Sequence, residues 1–172
     1  LTVSDTTAPV LTCTTNAVFE CDGAGNAAPI AAWLASVTAS DVCGGAAVVT
    51  NDYTSLSDLC GASGAATVTW TATDACGNQS SCTRTLTVND TTAPVLTCTT
   101  NAIFECDGAG NAAIIASWLA SVTATDLCSG PAVVTNNYTG LSDLCGASGA
   151  ATVTWTATDA CGNQSSCTRT LT

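Results

Sequence analysis

The sequence contains no histidine, no lysine and no methionine, and its only basic side chains are two arginines. Thirteen acidic residues give a formal net charge of −11 at pH 7. Because so few cations could neutralise phosphates, we exclude binding to nucleic acid or to an anionic membrane surface. The absence of histidine and lysine leaves only carboxylates as general bases, so we do not expect an enzyme.

Large hydrophobic side chains are also scarce, since aromatic residues make up 5% of the chain and much of the remaining apolar content is alanine and valine. No apolar run is long enough to cross a membrane, so we expect no membrane insertion of this segment. A core built from such small side chains is thin, and a small domain with a thin core needs covalent reinforcement.

Cysteine is the residue that could supply this reinforcement. Twelve cysteines are present, and they recur in strict register. With no histidine and no Cys-x2-Cys pair, a zinc site is not favoured, and the pattern predicts a disulfide framework outside the cytoplasm. The first six are Cys13, Cys21, Cys43, Cys60, Cys76 and Cys82, and the second six are Cys98, Cys106, Cys128, Cys145, Cys161 and Cys167.

The chain consists of two nearly identical copies of one segment, offset by 85 positions. A period this long suits a small self-contained domain rather than a solenoid repeat. We therefore expect one domain at 5–89 and a second at 90–172, truncated within its last strand. Residues 1–4 match the tail of a preceding repeat. The chain is expected to be a window cut from a longer secreted array whose signal lies elsewhere.

Alternating side chains predict a β-hairpin in each copy. In Ala66–Thr73, apolar residues alternate with threonine, which is the two-residue period of a half-buried strand. The turn Asp74–Asn78 follows, and Ser81–Val88 alternates in the same way. Further strands are expected at Val10–Thr14, Ala17–Cys21 and Ala46–Tyr53.

One segment of each copy departs from the β pattern. In Asn26–Ser36, apolar Ile30, Trp33 and Leu34 follow the spacing of one helix face. Asn26 is a plausible N-cap, and we predict a short helix that closes one end of the fold with Trp33. Several short strands in about 85 residues predict an all-β fold of tandem immunoglobulin-like β-sandwich domains, each with one short helix and three disulfides.

Arg84 is the only cation of the first copy. The predicted hairpin register places it opposite Trp70, where a cation–π contact would satisfy the guanidinium group. An ion pair with Glu20 is the alternative, and either role is structural.

Two strings carry a family resemblance. Thr71–Cys82 contains DACGN, and Asp90–Cys98 contains DTTAP. Together they resemble the hyalin-repeat (HYR-like) family, and most closely the cysteine-rich repeats of large bacterial surface proteins. The resemblance implies extracellular immunoglobulin-like modules strung in tandem for adhesion and cell-surface architecture, without catalysis. Six cysteines per copy exceed the two typical of the animal repeat, so the family does not supply the complete connectivity.

The expected immunoglobulin-like topology suggests a pairing, one of fifteen that six cysteines allow. The first and last strands of such a sandwich run alongside each other, which pairs Cys13 with Cys82. Cys21 ends the second strand and Cys76 lies in the hairpin turn, and we expect both at the same pole. Cys43 and Cys60 then remain. The predicted pairs of the second copy are Cys98–Cys167, Cys106–Cys161 and Cys128–Cys145.

Acidic and amide side chains predict a Ca²⁺ site at each domain junction, because Ca²⁺ prefers several converging oxygen ligands. In the second copy the linker, the second strand and the hairpin turn are expected to deliver them to one pole. The alternative is that these side chains cap the backbone of their own turns. The predicted ligands are Asp5, Glu20, Asp22, Asp74 and Asn78 in the first copy and Asp90, Glu105, Asp107, Asp159 and Asn163 in the second.

The sequence therefore predicts a structural segment of a long extracellular fibre, filament or adhesin stalk, stiffened by Ca²⁺ at its junctions. The short linker Asn89–Pro94 leads us to expect head-to-tail contact between neighbouring repeats, and an exposed strand edge would support lateral self-association. The alternative is an adhesion module that recognises a glycan, a host or surface protein, or another copy of itself through its polar loops.

Overall fold

The computed structural model describes residues 2–43, 45–142 and 148–172. The chain folds as two units, Leu1–Asp90 and Thr91–Thr172. Each described unit is mostly β with one short helix, α1 at Ala27–Leu34 in the first and α2 at Ala112–Leu119 in the second. This confirms the predicted all-β, sandwich-like fold.

The described residues of the first unit form two sheets. The smaller pairs two short strands in antiparallel fashion, and the larger has the order β2–β6–β5–β4. β2 runs parallel to β6, whereas the other neighbours in this sheet are antiparallel. The strands are β1 (Val10–Thr12), β2 (Ala17–Glu20), β3 (Thr38–Ser40), β4 (Val48–Asn51), β5 (Gly64–Thr73) and β6 (Gln79–Asn89).

The second unit repeats this plan. One sheet has the order β7–β8–β9 and the other the order β10–β11–β12, and Ala102 forms a parallel bridge with Leu171 where β2 pairs with β6 in the first unit. The strands are β7 (Val95–Thr97), β8 (Thr123–Asp126), β9 (Gly130–Pro131), β10 (Val133–Asn136), β11 (Ala151–Thr158) and β12 (Gln164–Leu171).

The alternation of β5 decides which face of the large sheet is buried. Val68, Trp70 and Ala72 have no exposed surface, and the threonines between them lie on the opposite face. On that outer face the hydroxyl oxygens of Thr69 and Thr83 lie 3.1 Å apart across the hairpin. The inner face forms the core because a two-residue period sends successive side chains to opposite sides of a strand.

Helix α1 closes the core through a pair of tryptophans. Trp33 lies edge-on to Trp70, with ring centroids 4.9 Å apart at 76°. Both indole N–H groups are satisfied, since Trp33 donates to the carbonyl of Thr15 at 2.9 Å and Trp70 to that of Leu34 at 3.1 Å. The predicted helix and the role of Trp33 therefore agree with the structure.

Asn26 is the N-cap residue, but its side chain does not cap the helix. It adopts a left-handed conformation with φ of 54°, and its amide donates to the carbonyl of Glu20 at 2.7 Å. Its side-chain oxygen accepts from the backbone of Asp22 at 3.2 Å. The asparagine thus ties the loop before α1 to the end of β2.

The predicted environment of Arg84 is wrong. Trp70 lies opposite Cys82, and Arg84 lies opposite Val68, two residues from the expected register. Its guanidinium Nε donates instead to the carbonyl of Thr14 at 2.9 Å. The turn between β5 and β6 holds five residues, 74–78, and this loop length sets the register of the hairpin.

Candidate functional site

A disulfide joins the two sheets of each unit. Cys13 follows β1 of the small sheet and bonds to Cys82 in β6, with Cα atoms 6.5 Å apart. Cys98 and Cys167 form the equivalent bond, with Cα atoms 6.6 Å apart. Both were predicted from the expected sandwich topology, and the structure contains both.

Of the other four predicted disulfides, three are wrong and one involves a residue outside the described part of the chain. Cys43, Cys76 and Cys106 are free and exposed, which makes the pairs Cys21–Cys76, Cys43–Cys60 and Cys106–Cys161 wrong. The fourth pair, Cys128–Cys145, includes Cys145, which lies outside the described residues. Among the described residues, the other disulfide-bonded cysteines are Cys21, Cys60, Cys128 and Cys161.

The direction of β2 explains the error for Cys21. Because β2 is parallel to β6, Glu20 lies opposite Asn89, and the backbone N–H of Cys21 donates to the Asn89 carbonyl at 2.7 Å. Cys76 lies in the turn before β6 begins. The 11 residues of β6 separate these two ends by about 33 Å at the usual rise of a strand. Cys21 and Cys76 therefore lie at opposite poles of the unit.

The turn between β5 and β6 forms an acidic pole. Asp74 is 7% exposed, and its Oδ1 accepts from the backbone N–H groups of Cys76 and Asn78, each at 2.8 Å. The Asn78 amide donates to Oδ2 of Asp74 at 2.8 Å and to the carbonyl of Asp5 at 3.2 Å. These bonds, the Asn78 amide foremost, hold the pKa of Asp74 below its usual 3.8.

Three carboxylates converge at this pole. Oxygen atoms of Asp5, Asp41 and Asp74 all lie within 4.8 Å of one another. Oδ1 of Asp5 accepts from the N–H of Thr7 at 3.0 Å, while its Oδ2 is buried without a hydrogen-bond partner among the described residues. Burying an unpartnered carboxylate oxygen is costly, so a cation at this position would be favourable.

The structure brings together only part of the predicted calcium set of the first copy. Asp5, Asp74 and Asn78 meet at the acidic pole, whereas Glu20 and Asp22 lie at the other end of β6. The prediction of one five-residue site is therefore wrong, for the same reason as for Cys21. Asp22 instead accepts from the N–H groups of residues 26 and 24, and these bonds lower its pKa.

The predicted calcium ligands of the second unit are divided between two opposite poles in the same way. Asp159 and Asn163 repeat the turn, with the Asn163 amide 2.8 Å from Oδ2 of Asp159. Glu105 and Asp107 follow Phe104, whose N–H donates to the carbonyl of Thr172 after the end of β12, so they lie at the opposite pole. The predicted linker ligand, Asp90, is buried and ends the first unit.

Asp41 is a candidate calcium ligand that was not predicted from the sequence. Its equivalent in the second unit, Asp126, is 7% exposed, and Oδ2 of Asp126 has no hydrogen-bond partner among the described residues. The sequence does mark Asp41 as similar to Asp74, because both begin an Asp-x-Cys string. In the structure, each of these aspartates accepts a hydrogen bond from the N–H of its cysteine. The short strand β3, which positions Asp41, was not predicted.

The second unit contains a cavity of about 270 Å³, lined by Phe104, Ile115 and Leu171 among others. All four tryptophans are buried and offer no aromatic platform for a sugar.

Stability should depend on pH through the two turn aspartates. The pKa of Asp74 is lowered by the Asn78 amide, and that of Asp159 is lowered by the equivalent bonds, which outweigh the raising effect of burial. Their stabilising contribution is complete above the ordinary value of 3.8 and is lost as pH falls through the lowered pKa.

We therefore expect the urea midpoint to be flat above about pH 5 and to fall steeply below 3.8. The double variant Asp74→Asn and Asp159→Asn should flatten the acid limb. Asp58→Asn, which alters an exposed aspartate, is the control and should retain it. An acid limb of unchanged slope in the double variant would contradict this assignment.

Comparison with known proteins gives one family. The HYR domain family matches residues 4–88 and again residues 89–172. A search of curated proteins gave no match. Within the described part of the chain, neither helix is long and apolar enough to cross a membrane.

Proposed function

Because the chain belongs to the HYR domain family, whose members are extracellular repeat modules, we propose that it is a structural segment of a long extracellular fibre, filament or adhesin stalk. Its task is to provide reach and stiffness outside the cell. This function requires each module to pass the chain, and any tension along it, from one end to the other.

The path of the chain through the first unit is the observation that supports this proposal. Asp5 enters beside the turn that precedes β6, where its carbonyl accepts from Asn78. The chain leaves at Asn89, at the far end of β6, about 33 Å away at the usual rise of a strand. Entry and exit therefore lie at opposite poles, which suits an extended array rather than a closed cluster.

The disulfide Cys13–Cys82 adds a mechanical argument. It links a residue just after β1 to the last strand, so the 69 positions between them cannot be pulled out while the bond is intact. Tension can pass from the entry segment into β6 through the covalent bond. A stalk built in this way would unfold only at its edges under load.

Single-molecule stretching of the intact chain tests this role. Oxidised molecules should show only short extensions, whereas reduction should release roughly 240 Å more per unit, at about 3.5 Å for each of the 69 positions. Small-angle scattering of the oxidised chain should give the profile of an elongated particle. A compact, globular profile would contradict a stalk, even if the stretching result held.

Calcium forms a separate part of the proposal, and its ligands change from those predicted. We propose that Ca²⁺ is held by Asp5, Asp41 and Asp74, whose oxygen atoms are close enough to share one ion with bonds of about 2.3–2.6 Å. The buried, unpartnered oxygen of Asp5 supports this choice. Bound Ca²⁺ would neutralise the acidic pole and stabilise only the folded state.

Thermal unfolding in millimolar Ca²⁺ and in chelator tests the calcium proposal. The midpoint should rise by several degrees with Ca²⁺, and the double variant Asp41→Asn and Asp126→Asn should abolish the rise. The matched control, Asp22→Asn with Asp107→Asn, removes carboxylates at the other pole and should retain it. Equal midpoints in Ca²⁺ and chelator would contradict the proposal and leave the cluster as turn-capping residues.

Lateral self-association is also part of the proposal. β4 is an edge strand, and Val48 on it is 65% exposed. Exposed edge strands can pair with another chain. Sedimentation over a range of concentrations should show oligomers that Val48→Lys weakens, and a monomer at all concentrations would contradict this part.

A further inference from the structure

The chain contains four Asn-x-Ser/Thr tripeptides, the sequon at which secreted proteins receive N-linked sugars. The four sequons begin at Asn78, Asn89, Asn137 and Asn163. Their sequence signal is the same, so the surroundings of each asparagine distinguish them. A good acceptor lies on a surface loop, and the fold does not already use its side-chain nitrogen, Nδ2.

Two sequons lie in the β5–β6 turn and in its equivalent, where the asparagines are half-buried. Nδ2 of Asn78 donates to Oδ2 of Asp74 at 2.8 Å and to the carbonyl of Asp5 at 3.2 Å, which uses both amide hydrogens. Nδ2 of Asn163 donates to Oδ2 of Asp159 at 2.8 Å. A sugar on either nitrogen would stand against the carboxylate that the amide now binds.

The sequon at Asn89 is held by the sheet, although its side chain is exposed. Asn89 is the last residue of β6, and its carbonyl accepts from the N–H of Cys21 at 2.7 Å. The middle residue of this sequon, Asp90, is only 7% exposed. A segment that is paired and partly covered in this way is a poorer acceptor than a surface loop.

The fourth sequon, Asn137-Tyr138-Thr139, lies on a loop directly after β10. Asn137 and Thr139 are both exposed. Oδ1 of Asn137 accepts from the backbone N–H of Thr154 at 2.8 Å, whereas Nδ2 makes no hydrogen bond with the described residues. The side chain is therefore fixed through its oxygen, and its nitrogen is available for substitution.

The first unit shows that this turn does not need the nitrogen. The equivalent of Asn137 is Asp52, whose Oδ1 accepts from the N–H of Thr69 at 2.7 Å. A carboxylate and an amide thus fill the same place in the two units through the same oxygen contact. We propose that Asn137 is the acceptor of an N-linked glycan and that the aspartate leaves the first unit unmodified at this place.

The proposal rests on the extracellular location that the proposed function requires, because N-linked sugars are added to chains entering the secretory route. The donor is an oligosaccharide carried on a lipid pyrophosphate. Nδ2 of Asn137 bonds to the anomeric carbon of the sugar, and the bond from that carbon to the pyrophosphate oxygen breaks. The lipid pyrophosphate leaves with the electron pair, and Nδ2 gives up one of its two protons. Oδ1 is unchanged and retains the bond to Thr154.

Secretion of the full chain from mammalian cells, which attach N-linked sugars to sequons, tests the proposal. Peptide-N-glycosidase in heavy-oxygen water releases the sugar and converts the modified asparagine to a labelled aspartate. Mass spectrometry of the peptides then locates the label. We expect it at Asn137 and at none of the other three sequons.

Matched variants use the difference between the two units. Asn137→Asp introduces the residue that the first unit has, so it should abolish the glycan without disturbing the turn. Thr139→Ala should also abolish it, whereas Thr139→Ser should retain it because serine preserves the sequon. Asp52→Asn completes a sequon with Tyr53 and Thr54 and should add a second glycan to the chain.

The outcomes separate this proposal from the proposed function. Oxidised chain with Cys13–Cys82 intact and Asn137 unlabelled would overturn the glycan assignment, as would a label only at Asn78, Asn89 or Asn163. Chain retained in the cells is analysed in the same way, because the sugar is added before secretion. A failed stalk function would instead appear as a compact scattering profile, whether or not the label is found.

Discussion

Removing the disulfide Cys13–Cys82 is expected to lower the free energy of unfolding of the first unit by about 4 kcal/mol. The bond closes a separation of 69 residues, and loops of this size fall between those for which chain entropy gives about 3 and about 4.7 kcal/mol. A domain of this length is stable by roughly 4–13 kcal/mol in total, so the loss is a large fraction.

Urea unfolding of the double variant Cys13→Ala and Cys82→Ala measures this effect. The second unit retains Cys98–Cys167 and provides a reference within the same molecule. We expect one transition to move to lower urea while the other stays in place. The matched variant, Cys98→Ala with Cys167→Ala, should give the mirror result, and a single unchanged transition in both would refute the expected stabilisation.

Truncating the buried tryptophan is the second large effect. Trp70→Ala should cost about 3–5 kcal/mol, as is usual for a completely buried aromatic residue. The change leaves a cavity beneath α1, removes the edge contact with Trp33, and takes the indole donor away from the carbonyl of Leu34. An unsatisfied carbonyl adds to the cost of the cavity.

A graded pair of variants separates these contributions. Trp70→Phe retains most of the ring volume and loses the N–H donor, so its cost should lie well below that of Trp70→Ala. The equivalent residue Trp155 lies 4.9 Å from Trp118 and should give the same ranking. Chemical unfolding supplies the free energies, and near-ultraviolet circular dichroism reports the lost contact. Equal costs for alanine and phenylalanine would show that the donor, rather than packing, dominates.

These two predictions bear on the proposed stalk. A thin core with one tryptophan pair per unit gives limited resistance to unfolding, and the sheet-to-sheet disulfide supplies much of the remainder. Loss of either would turn a stiff module into a weak point of an array. The two effects should not simply add, because Trp70 lies directly opposite Cys82 and neighbouring residues are energetically coupled.

Several elements of the fold could be predicted from the spacing of residues close together in the sequence. The threonine alternation of Ala66–Thr73 predicted β5 and its buried face, because successive side chains of a strand point to opposite faces of the sheet. The spacing of Ile30 and Trp33 predicted α1, and both side chains are buried. The internal repeat predicted that whatever forms once forms twice. These features depend on residues close together in the chain.

Other features depend on how distant segments meet. The residues of Ala17–Glu20 are compatible with a strand in either direction, and only its place beside β6 made it parallel. That one choice moved Cys21, Glu20 and Asp22 to the exit pole, away from Cys76 and Asp74. The short strand β3 brought Asp41 to the acidic pole without any periodic signal.

The sequence by itself therefore determined the repeat, the strand and helix periods, the charge and the supply of cysteines, because each of these is a local or compositional property. Tertiary structure decided which cysteines and carboxylates are neighbours. Strand direction and hairpin register fix those neighbours, and both are set by packing between segments tens of residues apart.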